Sequence, residues 1–245
     1  MIILGVHSTS AYLSVAVTEN ALVRGEVVLP PARKHLENLA CVIKDLTAEL
    51  RLNVMSIDGF GVALGPGSFS GVRIGLATIK GMALVLGRPI SGISSLDILA
   101  WQALRDGEWG APIIAARRSE IYTAFYRKSG GNLTLVSGPM LIKAEEFLRY
   151  AEEVSSRLLI CGDSVLDHLV ASNSNLTKSP VSVPSAGVCA LLAYERIMRG
   201  DTDDLHALTP LYIRRSDAEE KRSSIIATAE SNVGNEPSDL SRLGK

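Results

Sequence analysis

Two short turns in this 245-residue chain carry the residue types that hold phosphate. Ser8-Thr9-Ser10 follows an apolar run from Ile2 to Val6. Gly65-Pro66-Gly67-Ser68-Phe69-Ser70-Gly71 joins a second apolar run to a helix that begins near Ser70. Glycine lets the backbone approach a ligand closely, and the free amides at a helix start attract anions. If both turns faced one cleft, Ser8, Thr9, Ser10, Gly65, Gly67 and Ser68 would form a phosphate clamp. The simpler reading of the glycine segment is a tight chain reversal, and on the segment alone it is the stronger. No Gly-Lys-Ser/Thr closes the segment, so it is not a Walker A loop, and no βαβ unit opens the chain as a dinucleotide fingerprint requires.

The remaining polar residues offer less. His7, His35, His168 and His206 never stand three or four apart, so no helix presents a histidine pair to a metal, and no metal site is expected. His7 closes the first apolar run, and a neutral imidazole is a poor ligand for Mg²⁺. Ser, His and Asp are present without a nucleophile elbow. Asp163 after Gly162 suits a metal or a ribose, and more simply a helix N-cap. Cys41, Cys161 and Cys189 form no CxxC pair. Cys41 and Cys189 sit in helical apolar patterns and read as buried free thiols, which fits a reducing cytoplasm.

The elements that must position these residues follow from periodicity. Ile2 to Val6, Leu13 to Val17 and Arg24 to Leu29 read as three strands of an antiparallel meander. A helix from about Lys34 to Leu50 carries the stripe Leu36, Leu39, Ile43, Leu46 and Leu50. Gly59 to Leu64 is a fourth strand, a second helix runs to Leu86, and Gly87 and Pro89 stop it. Ile90 to Ile93 is a short strand. Ser94 and Asp97 have capping-box spacing before a helix from Leu96 to about Arg105. The order then repeats in weaker form: strands at Pro112 to Ala116, Ile121 to Tyr126 and Leu133 to Val136, a helix from Ala144 to Val154, a strand at Leu158 to Cys161, and a helix from Ala186 to Met198. This echo predicts two related α/β lobes, 1–100 and a reduced 101–216. Residues 217–245 lose all periodicity and read as a flexible tail, with room for a helical turn at Ser223 to Ala229.

The second helix is unusual. From Val72 to Leu86 its only charges are Arg73 and Lys80. A helix covering one face of a sheet needs one apolar stripe rather than an apolar jacket. Burial on all sides and an interface with another chain account for it equally well. The bulk numbers suit a globular chain: 47% hydrophobic, 21% charged, net charge -1. That balance lacks the basic excess of a protein that grips RNA alone. No stretch is read as long enough to span a membrane, and the N-terminus has no signal-peptide pattern.

Ile3 to Ser10 with Leu13 to Val17, Gly65 to Thr78, Ile93 to Leu96, Arg117 to Tyr122 and Pro210 to Arg214 together resemble the TsaB (YeaZ) family. The resemblance spans about Met1 to Ser216, with Gly65 to Thr78 its most specific part. It implies an α/β, actin-like/Hsp70-type ATPase (ribonuclease H-like) fold in two lobes, the second reduced. It implies a non-catalytic scaffold or activator of threonylcarbamoyl transfer to N6 of adenosine 37, in tRNAs reading codons that begin with A. In that family TsaD performs the transfer and TsaE, an ATPase, joins the pair. ATP and Mg²⁺ would serve the complex, with no cofactor assigned to this chain. The first-lobe helices would form the heterodimer, placing Leu36, Leu39, Ile43, Phe69, Val72, Arg73, Leu76, Ile79 and Lys80 at the interface. A homodimer through the same helices is implied when the partner is missing, and tRNA would be met only through the complex. The chain departs from the family pattern at His7 and Ala116, where Asp is usual, so Ser8 to Ser10 and Gly65 to Ser68 read as vestigial phosphate loops. The alternative is an independent actin-fold, ATP-dependent small-molecule kinase.

Overall fold

The computed structural model describes residues 1–31, 38–117 and 119–213. Met1–Leu211 forms one unit, and of the second, Tyr212–Lys245, only positions 212 and 213 are described. The sequence-based tail at 217–245, the helical turn at Ser223 to Ala229 and the start of the first helix at Lys34 to Glu37 lie outside the described residues.

Two five-stranded sheets share one topology. In the first, β1 (Ile2–His7), β2 (Leu13–Glu19), β3 (Leu22–Leu29), β4 (Gly59–Ala63) and β5 (Ile90–Ile93) lie in the order β3-β2-β1-β4-β5. β1 pairs with β2 antiparallel, with His7 opposite Ser14, and with β4 parallel, with Val6 opposite Val62. In the second, β6 (Trp109–Ala115), β7 (Glu120–Ser129), β8 (Asn132–Lys143), β9 (Leu158–Gly162) and β10 (Leu176–Lys178) lie in the order β10-β9-β6-β7-β8. Its first three strands are again an antiparallel meander, followed by parallel pairing of β6 with β9 and of β9 with β10. This is the α/β, actin-like and ribonuclease H-like arrangement, built twice.

The helices are α1 (Leu39–Glu49), α2 (Phe69–Leu86), α3 (Ser95–Ala103), α4 (Phe147–Val154), α5 (Asp167–Ser172) and α6 (Ala186–Met198). In the first half, α1 has 11 residues and α2 has 18; their counterparts α4 and α5 have 8 and 6. Shorter helices are what make the second half the smaller.

Strand β1 is apolar on both faces because both are covered. Leu4 and Val6 join Leu39, Ile43, Leu76 and Ile79 beneath α1 and α2. Ile3 joins Val188, Cys189, Ala190 and Ala193 of α6. A Cβ on Gly5 would stand 2.3 Å from Ala186 O, and one on Gly61 2.9 Å from Cys189 O, so α6 lies almost on the strands. The third helix of each half is exchanged: α6 covers the first sheet, and α3 packs on the second. Tyr126 Oη donates to Asp97 Oδ1 at 2.6 Å and Lys128 Nζ to Trp101 O at 3.0 Å, which pins α3 to β7. The capping box foreseen at Ser94 and Asp97 is therefore half made. Ser94 Oγ accepts from Leu96 N at 3.2 Å, while Asp97 is turned to Tyr126. Burial raises the Asp97 carboxyl above its ordinary range, against the lowering effect of the Tyr126 bond.

Two further expectations change. Cys41 is exposed on α1, whereas Cys161 and Cys189 are buried; it lies beside the stripe of Leu39, Ile43 and Leu46 and outside it. Helix α2 is long and apolar enough, by length and composition, to cross a bilayer, contrary to the reading that no stretch is. Its inner side is packed on its own sheet through Leu76, Ile79 and Ala83.

Candidate functional site

The two polar turns meet at one cleft. The first turn follows β1 and the second follows β4, its parallel neighbour, so both leave the same end of the sheet. Ser68 N donates to Thr9 O at 2.6 Å. Ser8 Oγ donates to Gly71 O at 2.8 Å. A Cβ on Gly67 would lie 2.0 Å from Thr9 O, and one on Gly71 1.9 Å from Ser8 O. Glycine here serves contact between two backbones. Thr9, Ser10, Gly67 and Ser68 line one side of a cleft of about 260 Å³, faced by Ile113, Ile114 and Ala115 of β6 and by Asp163. Ser8 and Gly65 are not among the lining residues: Ser8 is buried against α2, and Gly65 O accepts from Ser95 N at 2.8 Å.

His7 is fully buried behind this turn. Its Nε2 lies 2.8 Å from Thr9 Oγ1, which lies 2.7 Å from Ser95 Oγ. Nδ1 has no hydrogen-bond partner among the described residues. Burial penalises the charged imidazole and pushes its pKa down to about 3, so it is neutral near pH 7. A neutral, enclosed imidazole supplies neither the charge nor the reach of a Mg²⁺ ligand.

Three amides at the start of α2 already donate inside the protein. Ser68 N is spent on Thr9 O, Gly71 N donates to Ser68 Oγ at 3.2 Å and Val72 N to Ser68 O at 2.9 Å. The start of α6 is filled by the Glu26 carboxylate, which accepts from Ser14 Oγ at 2.6 Å, Ser185 Oγ at 2.9 Å and Gly187 N at 3.3 Å. Among the described residues lining the cleft, Asp163 carries the only charge. Its carboxylate does not cap a helix, as its position suggested. Oδ2 accepts from Ala115 N at 2.7 Å and ties the end of β9 to β6.

The second surface is the outer side of α2. Leu39, Ile43, Val72, Leu76 and Ile79, assigned from the resemblance to an interface, are core residues at most 5% exposed. They form the side of each helix that faces the first sheet, which is where the strongest apolar stripe is driven. Leu36 lies outside the described residues. Phe69 is exposed, and the Arg73 guanidinium stacks on its ring at 3.7 Å. Lys80 bends over to donate to Leu208 O at 3.0 Å. Ile74, Leu84 and Val85 were missed, and they form the bare stripe: Leu84 is 60% exposed and Val85 83%, with exposed Ala77 and Gly81 between them and Ile74. The signal was in the sequence, because 74, 77, 81, 84 and 85 repeat at helical spacing beside the buried stripe.

Comparison with known proteins supplies the lineage. The family model of TsaD, tRNA N6-adenosine threonylcarbamoyltransferase, matches residues 28–160. The chain is 26% identical over 227 residues to the tRNA threonylcarbamoyladenosine biosynthesis protein TsaB of Bacillus subtilis, covering 90% of this chain and 97% of that one. It is 30% identical over 201 residues to an uncharacterized protein of Mycobacterium tuberculosis, covering 80% and 83%. Among solved structures, YeaZ from Pseudomonas aeruginosa superposes with a TM-score of 0.72 at 23% identity, covering 86% of this chain and 100% of that one. With the matched model spanning more than half of the residues and the fold shared throughout, the chain belongs to the TsaB (YeaZ) family, within the wider TsaD-related group.

Proposed function

We propose that this protein is a non-catalytic scaffold or activator subunit in threonylcarbamoyladenosine formation on tRNA. It docks on a TsaD-type transferase and works with a TsaE-type ATPase, and it reaches tRNA only through that complex. The carrying observation is the outer face of α2, where Ile74, Leu84 and Val85 stand exposed beside Ala77 and Gly81. Burying such a face stabilises an assembly by roughly 25 cal/mol per Å² of apolar surface before the costs of association. Small residues at its centre let a partner helix approach closely.

In this reading ATP and Mg²⁺ belong to the complex and not to this chain. The support is the internal engagement of the Ser68, Gly71 and Val72 amides and the buried neutral His7. The same features speak against an independent kinase. The working compartment is the cytoplasm, where unpaired Cys41, Cys161 and Cys189 remain thiols.

The test mixes the purified chain with a TsaD-type protein, with TsaE and nucleotide present, and follows complex formation by size exclusion. Val85→Glu and Leu84→Glu should abolish the complex while the melting temperature stays within a few degrees, because both side chains face solvent. Leu76→Glu is unsuitable, since it would place a charge in the core. Complex formation unaffected by either exposed-face substitution would refute the α2 assignment.

A further inference from the structure

The two sheets end in four edge strands, β3, β5, β8 and β10. An open edge is a row of unpaired amides and carbonyls ready to take another strand. Three of these edges are closed or guarded. At β5, Ile90 O accepts from Asp203 N at 3.0 Å, Gly92 N donates to Asp203 Oδ2 at 2.8 Å and Gly92 O accepts from Arg196 Nη1 at 2.8 Å. β3 carries Glu26 and Arg24, the latter paired with Glu19. β10 has three residues, and Lys178 at its end pairs with Asp167. β8 is the longest of the four, with 12 residues. Its second half contains Pro139, which has no N–H to offer. Its first half, Leu133 to Val136, has no such guard. No charged residue occurs from Ser129 to Ile142. Thr134 is exposed, and Leu135 and Val136 are 47% and 45% exposed.

The register fixes which backbone groups of this half face outward. Lys128 of β7 turns its own backbone away from β8: its N donates to Glu108 O at 3.0 Å and its O accepts from Gly107 N at 2.8 Å. Leu133 stands opposite Lys128, and Leu135 opposite Tyr126, two residues back along β7 and turned the same way. In an antiparallel ladder the residue opposite an outward-turned one is itself turned out. Leu133 and Leu135 therefore both present N–H and C=O at the open edge, and among the described residues nothing bonds to them there. This pattern is its own complement. Rotation about a two-fold axis at Thr134 sets Leu133 opposite Leu135 of a second copy and Leu135 opposite Leu133, and each pair exchanges both of its backbone hydrogen bonds. Thr134 meets its own counterpart between them, a favourable cross-strand pair. An uncharged edge also meets its copy without like-charge repulsion. We propose that this edge takes a second copy of the chain, β8 pairing antiparallel with β8 about Thr134. The contact is far smaller than the roughly 20–30 residues a side of a standard interface, so the dimer is weak and depends on concentration. It uses a different surface from the helix face to which the family resemblance assigns self-association, and it does not rest on the docking role.

Sedimentation velocity on the full chain over a wide concentration range tests this. The natural chain should pass from monomer to dimer as concentration rises. Thr134→Lys sets two like charges face to face and should weaken the dimer about tenfold, with an unchanged melting temperature because Thr134 faces solvent. Val85→Glu, on α2, should leave the dimer intact. Cross-linking reads the register, in a Cys41→Ser background that leaves only the buried Cys161 and Cys189. Facing Cα atoms in a non-hydrogen-bonded pair stand about 4.5 Å apart, within reach of a disulfide, so Thr134→Cys should link to its own copy under mild oxidation. Val136→Cys would lie about 13 Å from its counterpart along the strands and should not link. A chain that stays monomeric at every concentration, a dimer lost with Val85→Glu and indifferent to Thr134→Lys, no link through Thr134→Cys, or equal linking through Val136→Cys overturns the proposal. Each of those outcomes leaves the α2 docking test untouched, because that test reads assembly with a different protein.

Discussion

Acidification should destabilise this protein through His7. Its ordinary imidazole value of 6.5 is pushed down to about 3 by complete burial. Below pH 6.5 the unfolded chain takes up a proton at this position and the folded chain does not. Stability therefore falls as pH falls, starting near 6.5 and levelling off only below about 3. The gap, at roughly 1.4 kcal/mol per pH unit, sets a ceiling of about 5 kcal/mol. At pH 5 the unfolded imidazole is already almost fully charged, and the loss relative to pH 7.5 is about 2 kcal/mol. That is a large part of the 5–15 kcal/mol typical of a whole domain. Asp97 acts in the opposite sense. Its raised pKa means that the folded state holds its proton more tightly, so stability is regained as pH drops through the carboxylate range. The assay is urea unfolding at pH 7.5, 6.5, 5.5 and 5.0, for the natural chain and for His7→Asn. The variant will be less stable throughout, because it leaves a cavity beside Thr9. What matters is its slope against pH, which should be shallower by about 2 kcal/mol across the series. Parallel curves, or a His7 ring titrating near 6.5 by NMR in the folded protein, would refute the argument that this imidazole is held dry and neutral.

Three further outcomes follow from the packing. Gly71→Ala places a methyl group 1.9 Å from Ser8 O; it should cost about 1–3 kcal/mol in urea unfolding, as overpacking does, and should loosen the turn that lines the cleft. Glu26→Ala removes the acceptor for Ser14, Ser185 and Gly187 at the start of α6. Because the carboxylate is exposed, the loss should be about 1 kcal/mol, with Glu26→Gln intermediate. A thiol reagent should modify Cys41 rapidly in the native protein. Cys161 and Cys189, buried and pushed up to about 12 by desolvation, should react only on unfolding; rapid native modification of all three would contradict the burial.

How much of this was legible in the residues depends on range. β1, β2 and β4 are apolar or alternating runs, and α6 has its own cap in Ser185, whose Oγ accepts from Val188 N at 3.2 Å; such features are local, and periodicity reveals them. β10 is three residues long and exists because β9 offers it an edge, so nothing within Leu176–Lys178 announces it. The family resemblance carried the fold through Gly65 to Thr78, but five residues it assigned to the interface, Leu39, Ile43, Val72, Leu76 and Ile79, lie on helix faces that form the core.

The sequence by itself determined that α2 has more apolar surface than one sheet can cover and that the first turn lacks a carboxylate at position 7. Periodicity and residue chemistry are enough for both. It could not say which stripe of α2 turns inward, because two apolar stripes satisfy the same helical spacing. That choice is made across space. Gly71 and Gly75 are the positions where the helix meets Ser8, with a Cβ on Gly75 falling 2.2 Å from Ser8 Oγ. This contact rotates Val72, Leu76 and Ile79 into the core and leaves Ile74, Leu84 and Val85 outside. The exchange of α3 and α6 between sheets is likewise a tertiary decision, since an apolar helix face records that it must be covered and not by which sheet.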